Sequence, residues 1–477
     1  MSQINIRTHH LLAILCIALF FFFTEAYTQR LLGDNVVKTG TWKNSEIEYI
    51  SGEILIIFKP GVSENDISSV LEPLPGMVVQ PFDKLGFGKL QVPDSINIFS
   101  LIEFLEKNPL IKAAEPNMIG TTADVPNDPY FNGTTPATYR YQWGLQNIGQ
   151  NPPSGKVGAD IHIINAWGLW KGTSNDTIAI LDSGIPTDLG TNNLNHPDLN
   201  DPSRFITGPD YSPVPDAYIR DEHKKGHGSH VAGIIAAETD NGIGIAGVAW
   251  NCTAIIIQVF YGGDVTHNGF RNAVVWAVDH GAKIINFSGG FPDSSATLIQ
   301  AVEYAQQHDR IIVAAAHNYN GPVRYPARYS STYSNVIAVG STDHNDQRSS
   351  YSDFGPELDV VAPGGYGSWP DANDICSTIP TYNTTYPEGQ IATGYAYMGG
   401  TSMATPMVAG LASLVRSRFP FFTASQVRDR IRQSADDVNG YTSLGRDDSI
   451  GFGRINAYRA LSGTPATPIL SSPANNC

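Results

Sequence analysis

Residues 177–184 read Thr-Ile-Ala-Ile-Leu-Asp-Ser-Gly, a continuous apolar run that ends in an aspartate and a glycine. A strand that is apolar on both faces is typical of a buried parallel sheet. Further short apolar runs occupy residues 254–257, 283–285, 310–313 and 336–339, and helix-like segments occupy residues 230–237, 272–280 and 301–307. This alternation predicts an α/β fold, an open parallel sheet with helices on both faces. Functional groups in such folds collect beyond the carboxyl ends of the strands.

The pattern before residue 126 is different. Strand-like runs at residues 53–58 and 87–92 alternate with helix-like segments at residues 64–71 and 100–106, and Ser100 is the expected helix cap. This pattern predicts a small α+β domain, followed by a turn-rich linker at residues 125–129. We expect four regions, which are a signal peptide at 1–26, the small domain at 27–125, the α/β domain at 126–462 and a Pro/Ser/Asn-rich tail at 463–477.

Composition excludes several classes of protein. The 477 residues are 42% hydrophobic and only 16% charged, which excludes an intrinsically disordered chain. The net charge of −15 argues against a nucleic-acid partner or an anionic membrane partner, since both need basic patches. Outside the expected signal peptide, the cysteines are too few for a disulfide framework, and whether Cys252 pairs with Cys376 stays open.

The N-terminus predicts secretion. Arg7 and two histidines precede thirteen apolar residues at 11–23, and Thr24-Glu25-Ala26 offers small residues for signal peptidase. The apolar run is too short for a typical membrane span, although an uncleaved anchor is the alternative. We therefore expect an extracellular, monomeric protein with no membrane partner after the signal peptide is removed.

Three segments carry candidate chemistry. Asp182 directly follows a predicted strand, His227 lies in Gly-His-Gly-Ser-His-Val-Ala-Gly at residues 226–233, and Ser402 lies in Gly-Gly-Thr-Ser-Met-Ala-Thr-Pro-Met-Val-Ala-Gly at residues 399–410. Each has a structural alternative. The aspartate could belong to a turn, the serine could cap a helix, and the histidine could be a core residue or a zinc ligand with His230. The zinc alternative lacks the H-E-x-x-H pattern and any nearby cysteine ligand.

Together the three segments supply a nucleophile, a base and a carboxylate. Serine needs a base to accept its proton, and the base needs a carboxylate that fixes its tautomer and stabilises its charged form. The chain order is aspartate, histidine, serine, which is the order in subtilisin and differs from that in α/β-hydrolase esterases. The esterase pattern G-x-S-x-G is also absent here, because Ala404 stands at its last position.

The three motifs resemble those of the subtilisin-like serine peptidases over residues 127–461, and the small domain resembles the N-terminal propeptide of that family. The resemblance implies a secreted serine endopeptidase that cleaves polypeptide substrates through an acyl-enzyme. It also implies an inactive precursor, with the propeptide as intramolecular inhibitor and self-cleavage between about residues 117 and 127. A catalytically inactive binding scaffold and an esterase are the competing hypotheses.

The same resemblance implies further site residues. Asn318 follows Ala-Ala-Ala-His after a predicted strand and aligns with the family's oxyanion donor, which would act with the backbone N–H of Ser402. His317 stands where the family has a glycine that lines the pocket for the residue before the scissile bond. The substrate-binding edge would consist of Ser288, Gly289 and Gly290, with glycine in place of the usual leucine at its centre.

A structural Ca²⁺ is a further implication of the resemblance. Calcium takes several oxygen ligands, often including loop carbonyls. The expected ligands are the side chains of Asp128, Asp198 and Asn241 and the carbonyls of Thr239, Ile243 and Ile245. The alternative is a solvated turn, because Asp and Asn are common in turns.

Overall fold

A computed structural model describes residues 31–32, 35–42, 45–71, 78–79, 87–93, 96–119, 125–133, 141–150, 154–367, 371–382, 390–438 and 445–462. The expected signal peptide and the tail lie outside the described residues. Two compact units divide the chain, one within residues 1–120 and the other at residues 121–462. No helix in these described ranges has the length and apolar character that crossing a membrane requires.

The N-terminal unit is an antiparallel sheet with two helices. The strands are β1 (Leu31–Leu32), β2 (Asn35–Trp42), β3 (Ser45–Phe58), β4 (Val78–Val79), β5 (Phe87–Gln91) and β6 (Ile111–Met118), and the helices are α1 (Glu64–Leu71) and α2 (Ile98–Glu106). The sheet order is β1-β2-β3-β5-β4, and β6 pairs with β3. Ile54 and Ile56 of β3 and Ile102 of α2 are fully buried. The predicted cap was wrong, because Asn97 rather than Ser100 accepts the first backbone N–H groups of α2.

The second unit contains a seven-stranded parallel sheet. Its strands are β7 (Thr177–Asp182), β8 (Phe205–Asp210), β9 (Thr253–Gln258), β10 (Ile284–Phe287), β11 (Ile311–Ala315), β12 (Val336–Thr342) and β13 (Val360–Pro363). Their order is β13-β12-β11-β10-β7-β9-β8, and every adjacent pair runs parallel. The predicted parallel sheet is confirmed. The two edge strands, β8 and β13, were not predicted.

Helices cover both faces of this sheet. They are α3 (Pro129–Asn132), α4 (Ile163–Leu169), α5 (His227–Ala236), α6 (His267–Asp279), α7 (Ala296–Gln307), α8 (Thr401–Arg418), α9 (Ala424–Ser434) and α10 (Ala457–Leu461). Successive side chains of a strand point to opposite faces. In β7, Ile178 and Ile180 pack in the core that includes α5 and α8, whereas Ala179 and Leu181 pack in the core that includes α6 and α7. Both faces of the sheet are therefore buried from solvent, which explains the continuous apolar runs in its strands.

A small antiparallel sheet completes the second unit. It has the order β14 (Ile375–Thr378), β16 (Tyr395–Met398), β15 (Gln390–Ala392). Cys376 lies in β14 and Cys252 precedes β9; both are buried and neither forms a disulfide. The stability of this unit therefore rests on packing rather than on a bond between these two cysteines.

The sheet topology gathers the candidate residues. Strands β7, β10 and β11 are adjacent, and their carboxyl ends lead to Asp182, Ser288 and His317 respectively. Helices α5 and α8 begin at His227 and Thr401 and pack against each other. Three strand ends and two helix N-termini thus meet at one edge of the sheet, where ligands bind in open α/β folds.

Candidate active site

Asp182 and His227 form a hydrogen-bonded pair. Asp182 is the last residue of β7 and is fully buried, and its Oδ1 lies 2.7 Å from Nδ1 of His227. The same oxygen accepts the backbone N–H of Ser183 at 2.8 Å. Since Nδ1 of the imidazole faces a carboxylate, Nε2 of His227 is left for the cleft.

The carboxylate decides the protonation behaviour of His227. Burial of the imidazole disfavours its charged form, but the nearby charge of Asp182 and its hydrogen bond outweigh this effect and raise the pKa of His227 above its usual value. The imidazole is therefore a stronger base than a free histidine. This is the property that a general base in nucleophilic catalysis needs.

A second buried carboxylate, that of Asp221, links the segments that carry Asp182 and His227 through hydrogen bonds. Asp221 accepts hydrogen bonds from the hydroxyl of Ser183 at 3.0 Å and from the backbone N–H of Ser229 at 2.8 Å. Ser183 Oγ in turn accepts the backbone N–H of Gly228 at 2.8 Å. Burial raises the pKa of Asp221 to about 6. This network ties the end of β7 to the first turn of α5, on either side of the Asp182–His227 pair.

Ser402 lies in the first turn of α8, where backbone N–H groups have no partner within the helix and favour negative charge. Among the described residues, the acceptor for its hydroxyl is the carbonyl of Ser288, at 3.1 Å, and not the imidazole of His227. The Ser288 hydroxyl returns a bond to the carbonyl of Ser402 at 3.0 Å. The hydroxyl of Ser402 must therefore turn away from the Ser288 carbonyl before its proton can pass to a base.

Asn318 and Ser402 face the same small space. Oδ1 of Asn318 accepts both the backbone N–H and the hydroxyl of Thr401, each at 2.9 Å, so its Nδ2 points the other way. A Cβ placed on Gly400 would lie 3.3 Å from Nδ2 of Asn318 and 3.7 Å from the backbone nitrogen of Ser402. Glycine at 400 leaves that point empty. An oxygen bearing negative charge there would meet two N–H donors.

The predicted substrate-binding edge follows β10. A Cβ on Gly289 would lie 2.5 Å from the ring of Phe260 and 3.1 Å from the ring of Phe287. These two rings stack with centroids 5.7 Å apart. A larger side chain at Gly289 would therefore collide with the ring of Phe260. The edge borders an open cleft of about 490 Å³ that Asp182, His227 and His317 also line.

His317 has the backbone conformation of a glycine, with φ of +98°. Its ring stacks on Tyr319, with centroids 4.9 Å apart and planes at 10°, and its Nδ1 accepts the backbone N–H of Asn318 at 3.1 Å. Burial lowers the pKa of His317, and the charge of Arg324 lowers it further. The imidazole is therefore neutral at pH 7, with its proton on Nε2.

The expected calcium ligands form one loop cluster. Asp128 and Asp198 are fully buried; Asp128 accepts backbone N–H groups from Asp240 and Asn241, and Asp198 accepts those of Ile245 and the side chain of Asn241. Burial raises the pKa of Asp128 to about 6 and that of Asp198 to about 7. In the described part of the chain, no cluster of three or more His, Cys, Asp or Glu side chains could hold a metal. The side chains of Asp128, Asp198 and Asn241 bring two carboxylates and one amide together, which are oxygen donors of the kind that calcium takes, whereas the carbonyls of Thr239, Ile243 and Ile245 stay predicted ligands.

Several residues of the site escaped the sequence analysis. Thr401 orients Asn318, Asp221 braces the pair, and Phe260 fills the edge. Thr401 stands next to Ser402 in the quoted motif, which is a signal that could have identified it. His230 is a core residue, because its Nε2 lies 3.1 Å from the carbonyl of Ala396 and burial lowers its pKa to about 3.

Comparison with known proteins identifies relatives of both units. The profile of the Subtilase family, peptidase S8, matches residues 173–453, and that of the fervidolysin N-terminal prodomain matches residues 37–117. The thermophilic serine proteinase of Bacillus sp. strain AK1 is 34% identical over 414 residues, which are 87% of this chain and 88% of that protein. Thermitase of Thermoactinomyces vulgaris is 38% identical over 338 residues, which are 70% of this chain and 99% of thermitase.

A solved structure shows the same fold. A protease from Pseudoalteromonas arctica superposes with a TM-score of 0.57 at 26% identity, and the alignment covers 71% of this chain and 99% of the protease. The seven-stranded parallel sheet and its helices are thus the architecture of a known peptidase fold.

Proposed function

The chain belongs to the subtilase family and is a subtilisin-like serine endopeptidase with an N-terminal prodomain, and we propose the catalytic role of each of four residues. Ser402 is the nucleophile, His227 the general base and acid, Asp182 the residue that orients His227, and Asn318 the side-chain oxyanion donor. The observation that carries this proposal is the 2.7 Å bond between Asp182 Oδ1 and His227 Nδ1 beside the first turn of α8.

The reaction begins when Ser402 Oγ leaves the carbonyl of Ser288 and attacks the scissile carbonyl carbon. Nε2 of His227 takes the hydroxyl proton, and Asp182 stabilises the imidazolium that forms. The C–N bond then breaks as His227 returns the proton to the leaving amine. Water attacks the acyl-enzyme by the same route, with His227 again accepting a proton, and Ser402 is regenerated.

The tetrahedral intermediates carry a negative oxygen. We assign this oxygen to the space beside Gly400, where Nδ2 of Asn318 and the backbone N–H of Ser402 converge. Thr401 fixes the orientation of the Asn318 side chain before substrate binds, because it donates two hydrogen bonds to Oδ1. The positive end of the α8 dipole also points toward this space. Donors that are held in place in advance need not reorganise during the reaction.

Ser402→Ala tests the nucleophile. The full chain carrying Ser402→Ala, expressed in a protease-free host, is expected to remain an uncut precursor, whereas the parent chain is processed. Ser417→Ala, a serine near the other end of α8, is the matched control and should be processed normally. Normal processing of the Ser402 variant would overturn the assignment.

A catalytically inactive scaffold is the competing function, and the orientation of the Ser402 hydroxyl toward Ser288 favours it. A serine-directed phosphonate distinguishes the two, because only an activated serine is phosphonylated rapidly. We expect an adduct at Ser402 in the folded, mature protein. Absence of an adduct in protein that is folded by circular dichroism would favour the scaffold.

We further propose that the protein is secreted through its residue 1–26 signal and is made as a self-processed precursor. In this proposal the prodomain inhibits the peptidase until it is cut, and the mature enzyme acts as a monomer outside the cell. Incubation of the purified precursor, followed by N-terminal sequencing of the products, tests processing. An N-terminus outside residues 117–127 would contradict the expected boundary.

Calcium is proposed as a structural ion of the loop cluster. The side chains of Asp128, Asp198 and Asn241 would hold it, and it would neutralise two buried carboxylates. Ca²⁺ that binds only the folded state raises the melting temperature as its concentration rises. We expect a chelator to lower Tm in the parent and in the exposed control Asp216→Asn, but not in Asp198→Asn. An unchanged Tm in the parent would argue against the site.

A further inference from the structure

The cleft beside the oxyanion space is lined by His317, and Arg324 lies next to it. The donors of Asn318 and Ser402 fix where the scissile carbonyl lies, so the side chain of the residue that supplies this carbonyl must begin within a few ångströms of them. A Cβ on Gly290 would lie 2.9 Å from Cδ2 of the His317 imidazole and 3.4 Å from Cβ of Arg324. The space next to the edge is therefore bounded by an imidazole, with an arginine behind it.

The guanidinium of Arg324 is held in place while its terminal nitrogens are left unused. It stacks over the ring of Tyr319 at 4.2 Å, and its Nε lies 3.9 Å from Oδ2 of Asp353. Within the described ranges, no hydrogen bond engages the terminal nitrogens of Arg324, and its side chain is 29% exposed. A fixed guanidinium with free N–H groups matches a carboxylate ligand in geometry and charge.

Asp353 offsets only part of this charge. Its Oδ1 already accepts the backbone N–H groups of Tyr319 and Gly321, both at 2.8 Å. Asp353 also faces a second arginine, because burial lowers the pKa of Arg348 and the charge of Asp353 opposes that shift. Two arginines share one carboxylate, so the group carries a net positive charge.

We propose, resting on the peptidase function above, that Arg324 and His317 make this pocket selective for an acidic side chain on the residue before the scissile bond. The imidazole of His317 takes up much of the space opposite Gly290, so the pocket is short and suits aspartate better than a large apolar side chain. The Nε2–H of His317 and the guanidinium of Arg324 donate to the substrate carboxylate. An uncharged amide of the same shape loses the ionic part of this recognition.

The sequence of the expected processing region agrees with this selectivity. Residues 117–127 read Asn-Met-Ile-Gly-Thr-Thr-Ala-Asp-Val-Pro-Asn, in which Asp124 is the only acidic residue. An enzyme that selects aspartate would cut its own precursor between Asp124 and Val125. The mature chain would then begin Val-Pro-Asn-Asp.

The test uses mature enzyme and internally quenched peptides that differ only at the residue before the scissile bond, which is Asp, Asn or Phe. Aspartate and asparagine have the same shape, so their kcat/KM ratio isolates charge. We expect the Asp peptide to exceed the Asn peptide by roughly tenfold to a hundredfold, the range for hydrogen bonds to charged groups. Arg324→Gln should bring the ratio near one, and Arg324→Lys should keep part of it.

Arg328→Gln is the matched control. Arg328 lies four residues further along, is 42% exposed and pairs with Glu357, so this variant should keep the parent ratio. A parent ratio of one or less, or a Phe peptide that is cleaved best, would overturn the inference. Active-site titration with the phosphonate separates the two claims: labelled enzyme without acid preference refutes selectivity alone, whereas enzyme that neither labels nor cleaves any peptide refutes the peptidase function and this inference with it.

Processing gives an independent readout. The precursor is expected to yield Val125 as its new N-terminus, and Asp124→Asn should slow the cut. This experiment does not need an Arg324 variant that folds. A new N-terminus other than Val125 in the parent chain, or an Asp124→Asn chain processed at the parent rate, would overturn aspartate selection.

Discussion

His227 and His317 line the same cleft, yet their surroundings give the two imidazoles opposite properties. His227 opens α5, and its Nδ1 faces the buried carboxylate of Asp182, which raises its pKa against the effect of burial. His317 follows β11 with a positive φ, and its Nδ1 accepts a backbone N–H instead. Burial and the charge of Arg324 lower its pKa.

The hydrogen-bond partner of Nδ1 therefore decides what each imidazole can do in this cleft. A carboxylate partner turns Nε2 into a proton acceptor, whereas an N–H partner turns Nε2 into a fixed donor. Both residues are partly exposed in the wall of the site, so their exposure class alone does not distinguish them. In the proposed mechanism His227 therefore moves a proton, whereas His317 donates a hydrogen bond to the substrate carboxylate.

Asp182→Asn removes the carboxylate that distinguishes His227 from His317, and we expect it to lower kcat more than any other variant described below. The amide removes the charge that supports His227 while leaving the shape, and a loss in kcat on the order of 10⁴-fold is expected. Burial is then opposed only by the weaker effect of the Asp221 charge, so the pKa of His227 should fall. At low pH, kcat/KM falls because protonation of His227 removes the base. The midpoint of this fall should lie above the usual histidine pKa in the parent and at a lower pH in Asp182→Asn.

The measurement for this variant is a pH–rate profile on any peptide that the parent cleaves. Asp216→Asn, an exposed aspartate, is the control and should keep both the rate and the position of the limb. An acid limb that stays in place in Asp182→Asn would mean that a different group sets it.

Asn318→Ala tests the oxygen-binding end of the cleft. Loss of one donor to a developing oxyanion costs about 10²–10³ in kcat, and KM should change little because the donor acts on the intermediate. The matched control is Asn251→Ala, an exposed asparagine whose side chain donates only a long bond, 3.4 Å, to a loop carbonyl. Equal kcat values for the two variants would remove Asn318 from the oxyanion site.

The sequence predicts the central strands of the parallel sheet, whose two faces are both buried, but it misses the edge strand β13 although all four of its residues are buried. Central strands such as β7 are continuous apolar runs, and their predicted bounds lie within three residues of the observed ones. The edge strand β8 reads Phe-Ile-Thr-Gly-Pro-Asp and is only half buried, so it carries no such signal. The same applies to the cap of α2, where Asn97 and Ser100 are both suitable residues and only the backbone geometry decides between them.

The sequence predicts candidate residues of the site but not the contacts between them. Motif spacing identified Asp182, His227 and Ser402, because each follows a strand or opens a helix. The ring of Phe260 beneath Gly289 depends on a contact between residues far apart in the chain, and so does the stacking of Arg324 on Tyr319. No local pattern reports such packing. The orientation of His317 likewise depends on a backbone angle that its residue type disfavours.

Thr401→Val is expected to have the smallest effect. It tests the oxyanion donor separately from the base, because the Thr401 hydroxyl contacts Asn318 and His317. Its hydroxyl donates to Oδ1 of Asn318 at 2.9 Å and accepts the backbone N–H of His317 at 3.2 Å. Valine keeps the shape and removes both bonds, so kcat should fall roughly threefold to thirtyfold, while the acid limb set by His227 stays in place. Thr405→Val makes the same change one turn along α8, where the hydroxyl bonds only the carbonyl of Thr401, and should affect Tm rather than kcat. Equal kcat values in the two variants would show that Asn318 is oriented without its threonine.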